Sequence, residues 1–131
     1  MVRGTIKGGT NMKDYRELVE DYNEVELTPQ LTEELTNEIP SYEVYVFPYD
    51  KDHNILSRGS KLVCFSDDPK VAVDEAKKYI AGINKQEEKD YFSDEEEQAA
   101  YITVEVETVV KADVDYFENI MTIFEAEIKL D

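Results

Sequence analysis

Residues 101–112, YITVEVETVVKA, and 116–130, YFENIMTIFEAEIKL, alternate apolar and polar side chains with a period of two. That is the period of a half-buried β-strand, whose successive side chains point to opposite faces. In the first stretch Ile102, Val104, Val106 and Val110 share a face opposite Glu105 and Glu107. In the second, Ile120, Phe124, Ile128 and Leu130 share a face opposite Glu125 and Glu127. Joined around Asp113–Asp115, the two read as a hairpin.

Working outward, 41–50, SYEVYVFPYD, alternates around Val44 and Val46 and is rich in strand formers. DKDHN at 50–54 is a turn, and ILSRGSKLVCF at 55–65 is a second strand with a bulge expected near Gly59. Between the hairpins, SDDPKVAVDEAKKYIAGI at 66–83 opens with Asp68 as N-cap and Pro69 at the first helical position. It sets Ala72, Ala76, Tyr79, Ile80 and Ile83 on one face, with Gly82 near its end. In the charged connection 84–98, Ser93 and Glu96 have capping-box spacing for one short helical turn.

Ahead of the first hairpin, MKDYRELVEDY at 12–22 places Tyr15, Leu18, Val19 and Tyr22 at helical spacing. TPQLTEELTNEIP at 28–40 gives Thr28 as N-cap, Pro29 at N1, a stripe of Leu31, Leu35 and Ile39, and Pro40 as the stop. The expected fold class is α+β: a four-stranded antiparallel sheet (ββαββ) with a packed helix, preceded by two short N-terminal helices. One face of such a sheet packs on helices and the other stays wet.

Residues 1–11 differ from the rest, with three glycines, two cations and no acid. Codons for Lys7-Gly8-Gly9 can spell a bacterial ribosome-binding site, with Thr10 and Asn11 as spacer before Met12. The expectation is a translated leader over 1–11, disordered as Gly-rich termini often are, and a single domain over 12–131. Eleven Lys against three Arg and nine Ile against five Gly point to a low-GC, Gram-positive genome or one of its phages or mobile elements.

Charge is the outlier: 31 acids against 14 bases give a net of −17, and removing Arg3 and Lys7 takes it to −19. Such a surface repels nucleic acid and anionic membrane and attracts basic proteins. One cysteine excludes an intrachain disulfide and suits a reducing bacterial cytosol, the expected location. No apolar run is long enough to cross a bilayer as a helix.

Catalytic and metal patterns fail one by one. Asp50, Asp52 and Asn54 resemble the start of a calcium loop, but Ile55 stands where the sharp turn needs Gly and Lys61 where a bidentate acid is needed. His53 has no His or Cys partner nearby in sequence and reads as solvated. Cys64, in KLVCF, lacks the base and the electropositive setting of a nucleophile and reads as a buried structural thiol. KGGT lacks P-loop spacing. No catalytic residue, metal ligand or cofactor is assigned, and the chain reads as no enzyme.

What remains is the arrangement of acids. Glu105 and Glu107 beside Glu125 and Glu127 form a two-row carboxylate patch, which Glu43 extends from another strand. Two such rows carry roughly one charge per 3.3 Å, near the axial phosphate density of one DNA strand. Glu87, Glu88, Asp90, Asp94, Glu95, Glu96 and Glu97 make a second patch around Tyr91 and Phe92, while Tyr42, Tyr45 and Phe47 are candidates for the sheet surface. Acids interleaved with aromatics suit a groove built for phosphates and stacked bases. Against this stand two other readings: an acidic accessory or interaction domain whose charge serves solubility alone, and a metal-dependent hydrolase.

YEVYVFPYDKDHNILSRGSKLVCF at 42–65, followed by a helix, and the acidic ending NIMTIFEAEIKLD at 119–131 carry a resemblance of texture. The chain resembles small acidic proteins of Gram-positive phages and conjugative elements: anti-CRISPR inhibitors of type II nucleases and antirestriction DNA mimics. No exact motif is shared, so no site residue is carried over. The resemblance implies a non-enzymatic inhibitor whose partner is a basic nucleic-acid-binding protein, such as a CRISPR or restriction nuclease.

Overall fold

A computed structural model describes residues 14–27, 41–111 and 118–130 of the chain. In chain order the strands and helices are β1 (Asp21–Glu24), β2 (Tyr42–Tyr49), β3 (Lys61–Ser66), α1 (Pro69–Ala81), α2 (Lys85–Phe92), β4 (Tyr101–Lys111) and β5 (Glu118–Lys129). The strands form one antiparallel sheet in the order β1-β5-β4-β2-β3. Both expected antiparallel pairs are present. The strand expected over 55–65 is confined to Lys61–Ser66, with its register shift opposite Val44–Tyr45 in place of Gly59. β4 joins the two pairs by pairing with all of β2, from Tyr42 opposite Thr108 to Tyr49 opposite Tyr101.

The sheet has five strands, not four, and the fifth comes from the stretch expected to be a helix. Tyr15–Glu17 makes a single 3-10 turn, with the Asp14 carboxylate accepting the Arg16 N–H at 3.0 Å. The chain then extends along the outer edge of β5, where the Glu20 N–H donates to the Glu127 carbonyl at 2.7 Å and the Val25 N–H to the Ile123 carbonyl at 2.9 Å. Eleven residues are too few for a stable isolated helix, whereas an uncovered β5 edge would leave a row of unpaired backbone groups. Pairing wins. Tyr15, Leu18 and Val19 still pack on the core. The helix expected over 28–40, the leader over 1–11 and the turn around Asp113–Asp115 lie outside the described residues.

α1 follows its sequence signals. Asp68 accepts the Lys70 N–H at 2.8 Å, Pro69 starts the helix, Gly82 caps its end, and Ala72, Val73, Ala76 and Ile80 are buried. The helical turn expected at Ser93–Glu96 is displaced upstream. α2 precedes it, capped by Asn84, which accepts the Glu87 N–H at 3.1 Å and is followed by acids in the first turn. Ser93 closes that helix, and Asp94 accepts the N–H groups of Glu96 and Glu97 in a tight turn. Asn84 and Ser93 offer similar cap spacing, but the upstream segment carries Phe92, which is buried against the core and anchors the helix.

The core lies between the helices and one face of the sheet. Val44 and Val46 of β2, Ile102, Val104 and Val106 of β4, and Phe124, Ala126 and Ile128 of β5 are sealed against Ala72, Ala76, Ile80 and Phe92. Tyr42, a candidate for the sheet surface, belongs to this core. Each Val, Ile or Phe of the core contributes ~1.5–3 kcal/mol when fully buried, which makes this face the stabilising one. Among the described residues no helix is long and apolar enough to cross a membrane.

Candidate interaction face on the open side of the sheet

The register fixes what the other face presents. One row across the sheet runs Phe65 (β3), Glu43 (β2), Glu107 (β4), Thr122 (β5). The next runs Leu62, Tyr45, Glu105, Glu125 and Asn23 of β1. A third runs Phe47, Thr103, Glu127 and Asp21, and a fourth Tyr49, Tyr101 and Lys129. The expected glutamates therefore do share a face, with adjacent strands ~4.8 Å apart.

The two rows of the expected patch are staggered by one pair, which makes the patch a diagonal band. β5 carries an extra residue, Ile123, opposite the Val106–Glu107 step, so Glu107 faces Thr122 while Glu105 faces Glu125 and Thr103 faces Glu127. Asp21 joins the band from β1, which the helical reading of that segment concealed.

The carboxylates differ in state. Glu43 accepts the Tyr45 hydroxyl at 2.7 Å, and that bond, with burial, pushes the phenol up to about 12. Glu105 is 7% exposed and accepts the Thr103 hydroxyl at 2.7 Å. Burial, opposed by the Thr103 bond and aided by the charges of Glu125 and Glu107, pushes its pKa up to about 7. Glu107 stands two residues along the same strand face, and its charge adds to the rise at Glu105. Burial raises Glu107 as well. Glu125 is exposed. Among the described residues no Lys or Arg pairs with Glu43, Glu105, Glu107 or Glu125.

Glu127 has a partner that the sequence did not reveal. The turn after β2 folds over this face, with His53 in the left-handed region at φ 64°. Its ring stacks on Tyr101 at 4.2 Å, and its Nε2 lies 3.0 Å from Glu127. His53, read as merely solvated, pins the turn to the sheet. Asp50 in the same turn spends its carboxylate on the N–H groups of Asp52 and Asn54, both at 2.9 Å.

The acids of 87–97 lie elsewhere, on the helix side. Glu88 is buried, accepting the Lys61 ammonium at 3.1 and 3.2 Å and the Tyr79 hydroxyl of α1 at 2.8 Å. That ammonium stands 4.5 Å from the Tyr91 ring centre. Asp90 accepts from Gln86 at 2.8 Å, Asp94 holds the turn, and Glu97 accepts the Ser57 N–H and hydroxyl. Glu87, Glu95 and Glu96 are exposed. Glu88, Phe92, Asp94 and Glu97 thus hold the fold together, and the segment does not extend the sheet patch. Cys64 faces the same side as the helices, half-buried, and burial raises its thiol pKa.

The open face offers shallow grooves: one of about 140 Å³ is lined by Asp21, Asn23, Thr103, Glu125 and Glu127, and another of about 310 Å³ by Asn23, Thr122 and Glu125 among others. Among the described residues no group of three or more His, Cys, Asp or Glu could hold a metal ion. No family model, curated protein or solved structure matches the chain.

Proposed function

We propose that the protein is a non-enzymatic acidic inhibitor of a phage or mobile element, and that its open sheet face occupies the basic nucleic-acid-binding groove of a host defence nuclease. The observation that carries this reading is the band of Glu43, Glu107, Glu105 and Glu125 across three adjacent strands, with no lysine or arginine neutralising it among the described residues. Cross-strand like charges cost stability, and nothing in the sheet's own packing needs them there. A cationic groove supplies what they lack, and mutual attraction speeds encounter. The competing reading, an accessory domain with charge for solubility, draws support from Glu87, Glu95 and Glu96, which are exposed away from the sheet patch.

Capture by a guide-loaded CRISPR nuclease or a restriction enzyme tests the proposal. The protein should bind the purified nuclease and abolish its DNA binding, and capture should weaken steeply with salt as charges are screened beyond ~8–10 Å. Glu43→Gln with Glu125→Lys should remove inhibition while leaving melting intact, since Glu125 is exposed. Salt-insensitive capture, or full inhibition by that variant, would sink the groove-occupancy reading.

A further inference from the structure

Phe65 is 71% exposed and Leu62 48%, and both stand on the open face at its β3 margin. Single exposed apolar residues need no explanation, but these adjoin two half-buried rings on the same face, Tyr45 and Phe47, whose centres are 5.8 Å apart. The strip also runs straight into the acids: Phe65 is opposite Glu43, which is opposite Glu107. Each step is ~4.8 Å, so an apolar contact and two carboxylates lie within about 10 Å of one another.

We infer that the partner surface carries exposed aromatic platforms beside its cations, as grooves for single-stranded nucleic acid do, and that Phe65 and Leu62 seat on those platforms while Glu43 and Glu107 meet the cations. This rests on the function proposed above and narrows its partner. Single-strand grooves combine positive side chains that track phosphates with aromatic rings that stack on bases. The face offers a counterpart to each, carboxylates for the cations and apolar side chains for the rings. A second copy of this chain is a poor occupant, because it would set Glu43, Glu107 and Glu125 against their equivalents. Strand addition at the β3 edge is also disfavoured: β3 is six residues long and its pairing with β2 shifts register between Val44 and Tyr45.

Two synthetic peptides of equal positive charge separate the possibilities, one alternating arginine with tryptophan and the other arginine with serine. Titrated against the intact protein at low salt, the tryptophan peptide should bind roughly tenfold tighter. Phe65→Ser with Leu62→Ser should erase that advantage without changing the affinity of the serine peptide, and the double variant should melt like the parent because both sites are exposed. Equal binding of the two peptides, or an advantage that survives the substitutions, overturns the platform inference and leaves the acidic-face reading standing. Failure of both peptides to bind overturns the acidic face itself. A concentration-dependent dimer dispersed by Phe65→Ser also overturns the inference, since a second copy would then be the occupant.

Discussion

A carboxylate that is 7% exposed, bonded to a threonine hydroxyl and crowded by other carboxylates is in a costly place, and Glu105 occupies it. Its neighbours on the face are Thr103, Glu107, Glu125, Tyr45 and, through Thr103, Tyr49. Between the ordinary value of 4.5 and about 7, the folded protein keeps a proton that the unfolded chain has released. The folded state binds more protons in that window, so this group's contribution to stability falls as pH rises from 4.5 to 7 and is flat above it. Glu105→Gln keeps an acceptor for the Thr103 hydroxyl without any charge. It should stabilise the fold by ~1–2 kcal/mol at pH 8 and by little at pH 5. Urea unfolding at the two pH values checks this; equal effects at both would place the carboxylate in an ordinary solvated state.

At the scale of elements, the polar core of the helix layer is the more fragile part. Lys61 on β3 and Glu88 on α2 join the two with little exposure, beside Tyr79, Tyr91 and Phe92. Removing one partner leaves the other charge unpaired, which is where buried pairs prove destabilising. Lys61→Met should cost about 2–3 kcal/mol, and adding Glu88→Gln, which still accepts from Tyr79, should recover most of it. Urea denaturation of the single and double variants measures the coupling; additive losses would show that the pair contributes nothing as a pair. Elements also show how far sequence reaches. β2, β4 and β5 were legible because one face of each is sealed and the other is not, and α1 because Asp68, Pro69 and Gly82 mark both its ends. β1 was not, because Tyr15, Leu18, Val19 and Tyr22 suit a helix face, and the free edge that recruits them belongs to β5, a hundred residues away. The diagonal band did have a signal. Ile123 and Phe124 are adjacent, apolar and both buried, which a strand accommodates by a bulge. Phe65 and Leu62 had none: their exposure depends on β3 lying at the margin.

For the whole molecule, the net charge of −17 overstates what a partner meets. Glu88, Asp94 and Glu97 on the helix side are committed to the fold, and within the Glu105–Glu107 pair on the open face burial keeps a proton on Glu105 up to about pH 7. A cation brought onto that pair favours its ionised form, because an opposite charge nearby lowers a carboxyl pKa. Association with a basic groove should therefore release protons, and by linkage should be tighter at pH 8 than at pH 6. Calorimetric titration against the captured nuclease in two buffers of different ionisation enthalpy reads the proton count directly. Glu105→Gln should retain binding at pH 6 and lose the gain toward pH 8, because its amide has no proton to give up. Glu43→Gln with Glu125→Lys should instead weaken binding at both pH values. A partner that binds with the same affinity across this range, and releases no proton, does not contact the Glu105–Glu107 pair, and the band would then be crossed elsewhere, nearer Glu125 and Glu127.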